Sequence, residues 1–139
     1  MLPSHTVENY LKAIFLAQVA LLPSEPLVPM GQLASALGVV PGTATTMVKA
    51  LSESGLVRYE PYAGVRLTPA GEKLARNIAH RHRLLTDFLQ LLGLSKRVIH
   101  HDVEGMEHHI SPPTLRAIAA LTGLLRRQPG LRARLKSAA

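Results

Sequence analysis

Proline holds φ near about −65° and donates no backbone hydrogen bond, so it can open a helix or interrupt one but not continue it. In this chain its placement divides the sequence into lengths that hold a helix or a short hairpin each. Residues 6–22, TVENYLKAIFLAQVALL, carry Val7, Leu11, Ile14 and Phe15 at a helical period. Thr6 is placed to cap that helix, and Glu8 suits its first turn, where the helix dipole favours an anion. Pro23, Pro26 and Pro29 then enforce a non-helical connection. A short helix from Gly31 to Leu37 ends at Gly38, and Pro41 opens the next, which runs to Gly55. Two short helices joined by a tight glycine-containing turn form a helix-turn-helix candidate.

Two β-prone runs follow, Leu56 to Glu60 and Val65 to Leu67, around a turn at Pro61–Gly64. Helix-turn-helix followed by a basic hairpin is the layout of a winged helix. Thr68-Pro69 restarts a helix that is long, with Leu74, Ile78, Arg81, Leu85, Phe88, Leu89 and Leu92 on one mostly apolar side and Gly93 at its end. Ser95 caps a further helix, and Ser111 with Pro112-Pro113 opens a last one to about Leu125. The tail from Arg126 to Ala139 is read as fraying. The expected fold is therefore mainly α: a winged helix-turn-helix domain over 1–72 and a helical domain over 73–139.

Charge points to a partner. Lys and Arg number 16 against 9 acids, a net +7, which favours a polyanion, nucleic acid before acidic membrane. With no tryptophan and 4% aromatic residues, stacking on single-stranded bases is disfavoured, leaving duplex DNA. In a helix-turn-helix the second helix offers its N-terminal residues to the major groove. Here those are Gly42, Thr43, Thr45 and Thr46, with Lys49 one turn on. Arg58 and Arg66 of the hairpin, with Lys49, are placed for phosphates; a solvated threonine face is the alternative. The chain has no cysteine, no apolar run long enough to span a bilayer and no secretory or lipidation signal. A soluble, cytoplasmic protein is expected.

The densest chemistry lies in His100–His109, which holds four of the seven histidines and three acids. At about 100° per residue, His100, His101, Glu104, Glu107 and His108 fall within roughly 120° of one helical face. Carboxylate oxygen with imidazole nitrogen is a ligand set for Mn, Fe, Zn, Ni or Co. The alternative is a solvated face with local Glu–His pairs. H-E-x-x-H is absent, so a zinc-protease reading has no motif, and no separate general base points to an enzyme. Gly105, mid-helix, suggests a close helix–helix contact.

Several segments together resemble the diphtheria-toxin-repressor family of metal-dependent transcriptional regulators. They are VENYLKAI, TTMVKALSESGLV, YEPYAGVRLTPAGEKLA, HRHRLLTDFLQLLGL and DVEGMEHHIS, within about residues 6–120. The chain is most similar to the short manganese transport regulators that lack an SH3-like domain. This resemblance implies a homodimeric repressor on a palindromic operator, with the C-terminal helices serving dimerisation and metal binding. It implies His82, Glu104, Glu107 and His108 as ligands, with His100 at an ancillary position. Glu104 stands where iron-sensing relatives carry sulfur, which favours Mn(II) over Fe(II). Two first-helix acids of the manganese regulators are matched by Asn9 and Lys12, so Asn9 is the weaker ligand candidate and one ion per chain is expected. The competing reading keeps the winged helix but lets a degenerate metal site answer another input.

Overall fold

A computed structural model describes residues 5–21 and 27–138. The described elements are α1 (His5–Ala20), α2 (Met30–Leu37), α3 (Pro41–Glu53), β1 (Val57–Glu60), β2 (Gly64–Leu67), α4 (Pro69–Leu91), α5 (Lys96–Met106), α6 (Pro112–Arg126) and α7 (Pro129–Ala138). The chain divides into two compact units, Met1–Ile78 and Ala79–Ala139, and the boundary falls within α4.

In the N-terminal unit, α1, α2, α3 and the hairpin enclose one core. Leu11, Ile14, Leu33, Val48 and Val65 are fully buried there, each burial stabilising by about 1.5–3 kcal/mol. Pro41 occupies the first turn of α3, and Ala44, Val48 and Leu51 form its inward stripe at i, i+4, i+7. Strands β1 and β2 pair antiparallel, with Arg58 opposite Arg66 and Tyr59 opposite Val65. Val57, Val65 and Leu67 face the core, so both arginines lie on the outward face of the hairpin. A bridge that the sequence pattern does not announce joins Val28 to Val65, extending the hairpin by one short contact.

The caps follow the local chemistry. Gly38 closes α2 in the left-handed conformation, and the Gly71 amide donates to Thr68 Oγ1 at the start of α4. Residue 5 is already helical, so Thr6 lies inside α1 rather than at its cap, and the residues before it lie outside those described. The expected connection through Pro23 and Pro26 likewise falls outside them.

In the C-terminal unit, Leu85 and Leu89 of α4 meet Ile99 and Val103 of α5, with Phe88, Met106, Leu115 and Ile118 packed around them. Two expectations are corrected here. The tail does not fray: Pro129–Ala138 forms α7, and Lys136 packs across Gly93. Gly105 makes no close helix contact within the chain, because a Cβ there would find open space within 4 Å. Gly71 is the close approach instead, since a Cβ would run into the Leu56 carbonyl oxygen, a backbone atom that cannot swing aside.

The two glycines therefore predict opposite outcomes in denaturant unfolding. Gly105→Ala should stabilise by up to about 1 kcal/mol through helix propensity. Gly71→Ala should destabilise by about 1–3 kcal/mol, overpacking outweighing the same propensity gain. Equal stability of the two variants would contradict this packing.

Candidate metal centre and nucleic-acid interface

Helix α5 begins at Ser95, whose Oγ accepts the Val98 amide at 3.3 Å. Its buried stripe runs Ile99, Val103 and then Glu107, spaced i, i+4, i+8. A carboxylate thus stands where the periodicity calls for an apolar side chain, and Glu107 is 0% exposed. Its α-helical φ/ψ and the bond from its amide to the Val103 carbonyl carry the helical register one residue past Met106. The segment 107–109 is a turn, so the single ten-residue helical face expected from the sequence is shorter than anticipated.

Both oxygens of Glu107 face imidazoles. His82 Nδ1, presented by α4, lies 2.6 Å from Oε2, and His108 Nε2 lies 3.4 Å from Oε1. His82 is partly accessible, with its side chain 35% exposed, whereas that of His108 is 2% exposed. Glu104 completes the cluster from one turn back along α5. Ligand atoms of His82, Glu104 and Glu107 all lie within 4.8 Å of one another. A cation of oxygen and nitrogen preference fits this donor set: two carboxylates, an imidazole, and a second imidazole against the buried acid. An aliphatic core helix would have no reason to end its stripe on an acid.

The cluster of three includes neither His100 nor His101. His100 is exposed on α5, and His101 is exposed and paired with Asp102 at 3.1 Å. Asn9 is on α1 of the N-terminal unit, with its Oδ1 buried and without a hydrogen-bond partner among the described residues.

On the N-terminal unit, Thr43, Thr46 and Lys49 are exposed on α3 and Thr45 is half-buried. The Thr46 hydroxyl donates to the Gly42 carbonyl at 3.0 Å, leaving its methyl and its oxygen lone pairs for a partner. Arg58 is exposed and Arg66 half-buried, directly opposite one another across the strands. Like charges in that arrangement are destabilising in the free protein. Glu60 relieves Arg58 only in part, at 3.7 Å and with both side chains more than half exposed. The pair makes physical sense on a surface that meets a polyanion. Thr45 and Lys49 line a groove of about 580 Å³ together with Pro29, Tyr59 and the turn at Pro61–Gly64.

Comparison with known proteins joins these two sites. Residues 3–65 match the family described as iron dependent repressor, N-terminal DNA binding domain, and residues 68–133 match iron dependent repressor, metal binding and dimerisation domain. The chain is 35% identical to the HTH-type transcriptional regulator MntR of Lysinibacillus sphaericus over 98% of its own length and 95% of that protein. It is 37% identical to the MntR of Geobacillus thermodenitrificans over 79% of its length and 75% of that protein. Among solved structures it is similar to a manganese-dependent transcriptional repressor in complex with manganese, at 34% identity and a TM-score of 0.71. That match covers 84% of this chain, which spans about half of the solved one (52%).

The geometry of the cluster makes Glu107 the side chain most exposed to test. Glu107→Gln keeps its shape and removes its charge, and should weaken Mn(II) or Co(II) binding by about 100-fold or more in calorimetric titration. His100→Ala should leave that affinity unchanged. Metal affinity of the unmodified protein should also fall as the pH is lowered, because a protonated imidazole offers no lone pair. Wild-type affinity in Glu107→Gln would remove the cluster from consideration.

Proposed function

The chain belongs to the iron-dependent repressor family, and we propose that it represses transcription as a homodimer on a palindromic duplex operator when its C-terminal unit holds Mn(II). The observation that carries this reading is the buried Glu107 carboxylate set between His82 and His108, with Glu104 beside it. These four side chains are the proposed ligands. When bound, the ion supplies positive charge to a site whose donors are predominantly hard oxygen and borderline nitrogen. An all-O/N set with no sulfur favours Mn(II) over softer ions, and manganese repressors among the relatives support that preference.

The protein's own residues do the rest. Thr43, Thr45 and Thr46 are proposed to meet base edges in the major groove, while Lys49, Arg58 and Arg66 meet phosphates. Two subunits place two such helices in successive grooves, which is why a palindrome is the expected site. Metal that binds more tightly to the DNA-competent state than to the other shifts the population toward it, and duplex DNA raises metal affinity by the same factor. No helix among the described residues is long and apolar enough to cross a membrane, which suits a regulator acting in the cytoplasm. Binding rather than catalysis is the role we assign to the metal.

One ion per chain is proposed. Among the described residues the His82, Glu104 and Glu107 group is the sole such cluster of three, and Asn9 and Lys12 occupy the positions at which the resembled regulators carry acids. Titration with Mn(II) should give a stoichiometry of one, and two tight ions per chain would refute this part of the proposal.

Duplex binding followed by fluorescence anisotropy tests the whole reading. Mn(II) should raise affinity by roughly 5–150-fold, and a chelator should reverse it. Lys49→Ala and Arg66→Ala should each flatten the dependence of log K on log salt by about 0.9. Duplex affinity indifferent to Mn(II), Fe(II) and Co(II) alike would favour a regulator of another input.

A further inference from the structure

The hairpin tip holds a residue that its backbone disfavours. Glu60, Pro61, Tyr62 and Ala63 form a turn closed by the Ala63 amide donating to the Glu60 carbonyl at 3.0 Å. Proline at the second position and a left-handed third residue is the type II pattern, in which the third residue is ordinarily glycine or asparagine. Here it is Tyr62, with φ at 66°, the one non-glycine residue with positive φ among the described residues. A bulky side chain in that region is strained, and such strain concentrates where function holds it. The ring gains nothing from the fold in return, since Tyr62 is fully exposed. Neither stability nor packing accounts for an aromatic at this position.

The tip is nonetheless held firmly in place. Gly64, the next corner, has its φ at 135° and lies so close to Val28 that a Cβ would overlap the Val28 carbonyl oxygen. The amide of Val28 donates to the Val65 carbonyl at 2.7 Å, and that of Val65 to the Val28 carbonyl at 2.9 Å. A rigid strand pair therefore carries an outward phenol at its end. Tyr62 also lines the groove of about 580 Å³ that Thr45 and Lys49 border from α3. The groove thus has a cation and a hydroxyl on one wall and the phenol on the other.

We propose that this groove receives one sugar–phosphate strand of duplex DNA, with the Tyr62 hydroxyl donating to a phosphate oxygen and its ring covering the adjoining deoxyribose. Tyrosine is among the side chains that position proteins on the backbone without reading sequence. The proposal rests on the DNA-binding reading given above and adds a neutral contact to its charged ones. Because Tyr62 carries no charge, its contact releases no counterion. Its removal lowers affinity without changing the salt slope, which separates it from Lys49 and Arg66.

The test uses the full-length protein with Mn(II), a duplex selected by the protein from a random-sequence pool, and an unrelated mixed-sequence duplex. Tyr62→Gly relieves the strained φ, so its melting temperature should equal or exceed that of the unmodified protein. Its affinity should fall roughly ten-fold on both duplexes, the worth of a hydrogen bond to a charged group, with the salt slope unaltered. Tyr62→Phe should lose most of that affinity as well. Undiminished binding by Tyr62→Gly would overturn the proposal, and so would a loss accompanied by a flattened slope, which would mean that the whole wing had shifted. Lys49→Ala serves as the control. If it flattens the slope while Tyr62→Gly changes nothing, the DNA-binding reading stands and the role of Tyr62 falls. If neither variant alters binding, both fall.

Discussion

A carboxylate with no solvent exposure imposes a condition on everything around it. Removing such a group from water costs several kcal/mol unless charge and hydrogen bonds compensate it. The C-terminal unit meets that condition for Glu107 by bringing His82 across from α4 and folding the chain back after Met106 to bring in His108. The apolar contacts of Leu85 and Leu89 with Ile99 and Val103 set those helices at the required separation. Core and site are thus one stripe on α5, apolar for two positions and acidic at the third. In the reading proposed above, the same carboxylate oxygens and ring nitrogens would serve as ligands to a divalent cation.

How much of this was legible in the sequence follows from what each signal depends on. Proline and glycine act through local backbone geometry, so the order of helices, the hairpin and the caps at Thr68 and Ser95 were readable without tertiary information. The cluster of acids and histidines was visible too, but its internal ranking was not. Helical angles place His100, His101, Glu104, Glu107 and His108 on a common face; only burial separates Glu107 and His108 from the exposed His100 and His101. The end of α5 at Met106 does carry a glycine, Gly105, but its place in the sequence reads as a mid-helix contact, and periodicity overran the end. His82 had no signal of its own. It sits in the basic run His80-Arg81-His82-Arg83, where His80 and Arg83 are exposed, and the resemblance to known regulators, not spacing, identified it.

Gly105 and Gly71 show the same limit from another side. Both are helical glycines near a helix end, and the sequence singled out only Gly105, as a mid-helix position. Space decides otherwise, because Gly71 abuts the Leu56 carbonyl while Gly105 faces nothing within 4 Å. The tail misled for a related reason. Arg132, Arg134 and Lys136 lie in the tail that was expected to fray, yet the aliphatic part of Lys136 covers Gly93, the kind of contact in which a long basic side chain serves as an apolar one.

On the N-terminal unit the same economy runs in reverse, with local disfavour kept where a partner can offset it. Arg58 and Arg66 face each other across two strands, and Tyr62 occupies a left-handed turn position that glycine would fill without strain. Each of these lowers the stability of the isolated fold, and each lies on the hairpin rather than in the core beneath it. Val57, Val65 and Leu67, on the inward face of the same strands, obey every packing expectation. Alternation along a strand permits that division, since residues two apart share a face and neighbours do not. The inward set anchors the hairpin, which leaves the outward set free to serve the polyanion contact proposed above. Opposed arginines, exposed threonines and a strained aromatic are features that fit the duplex-binding surface proposed above.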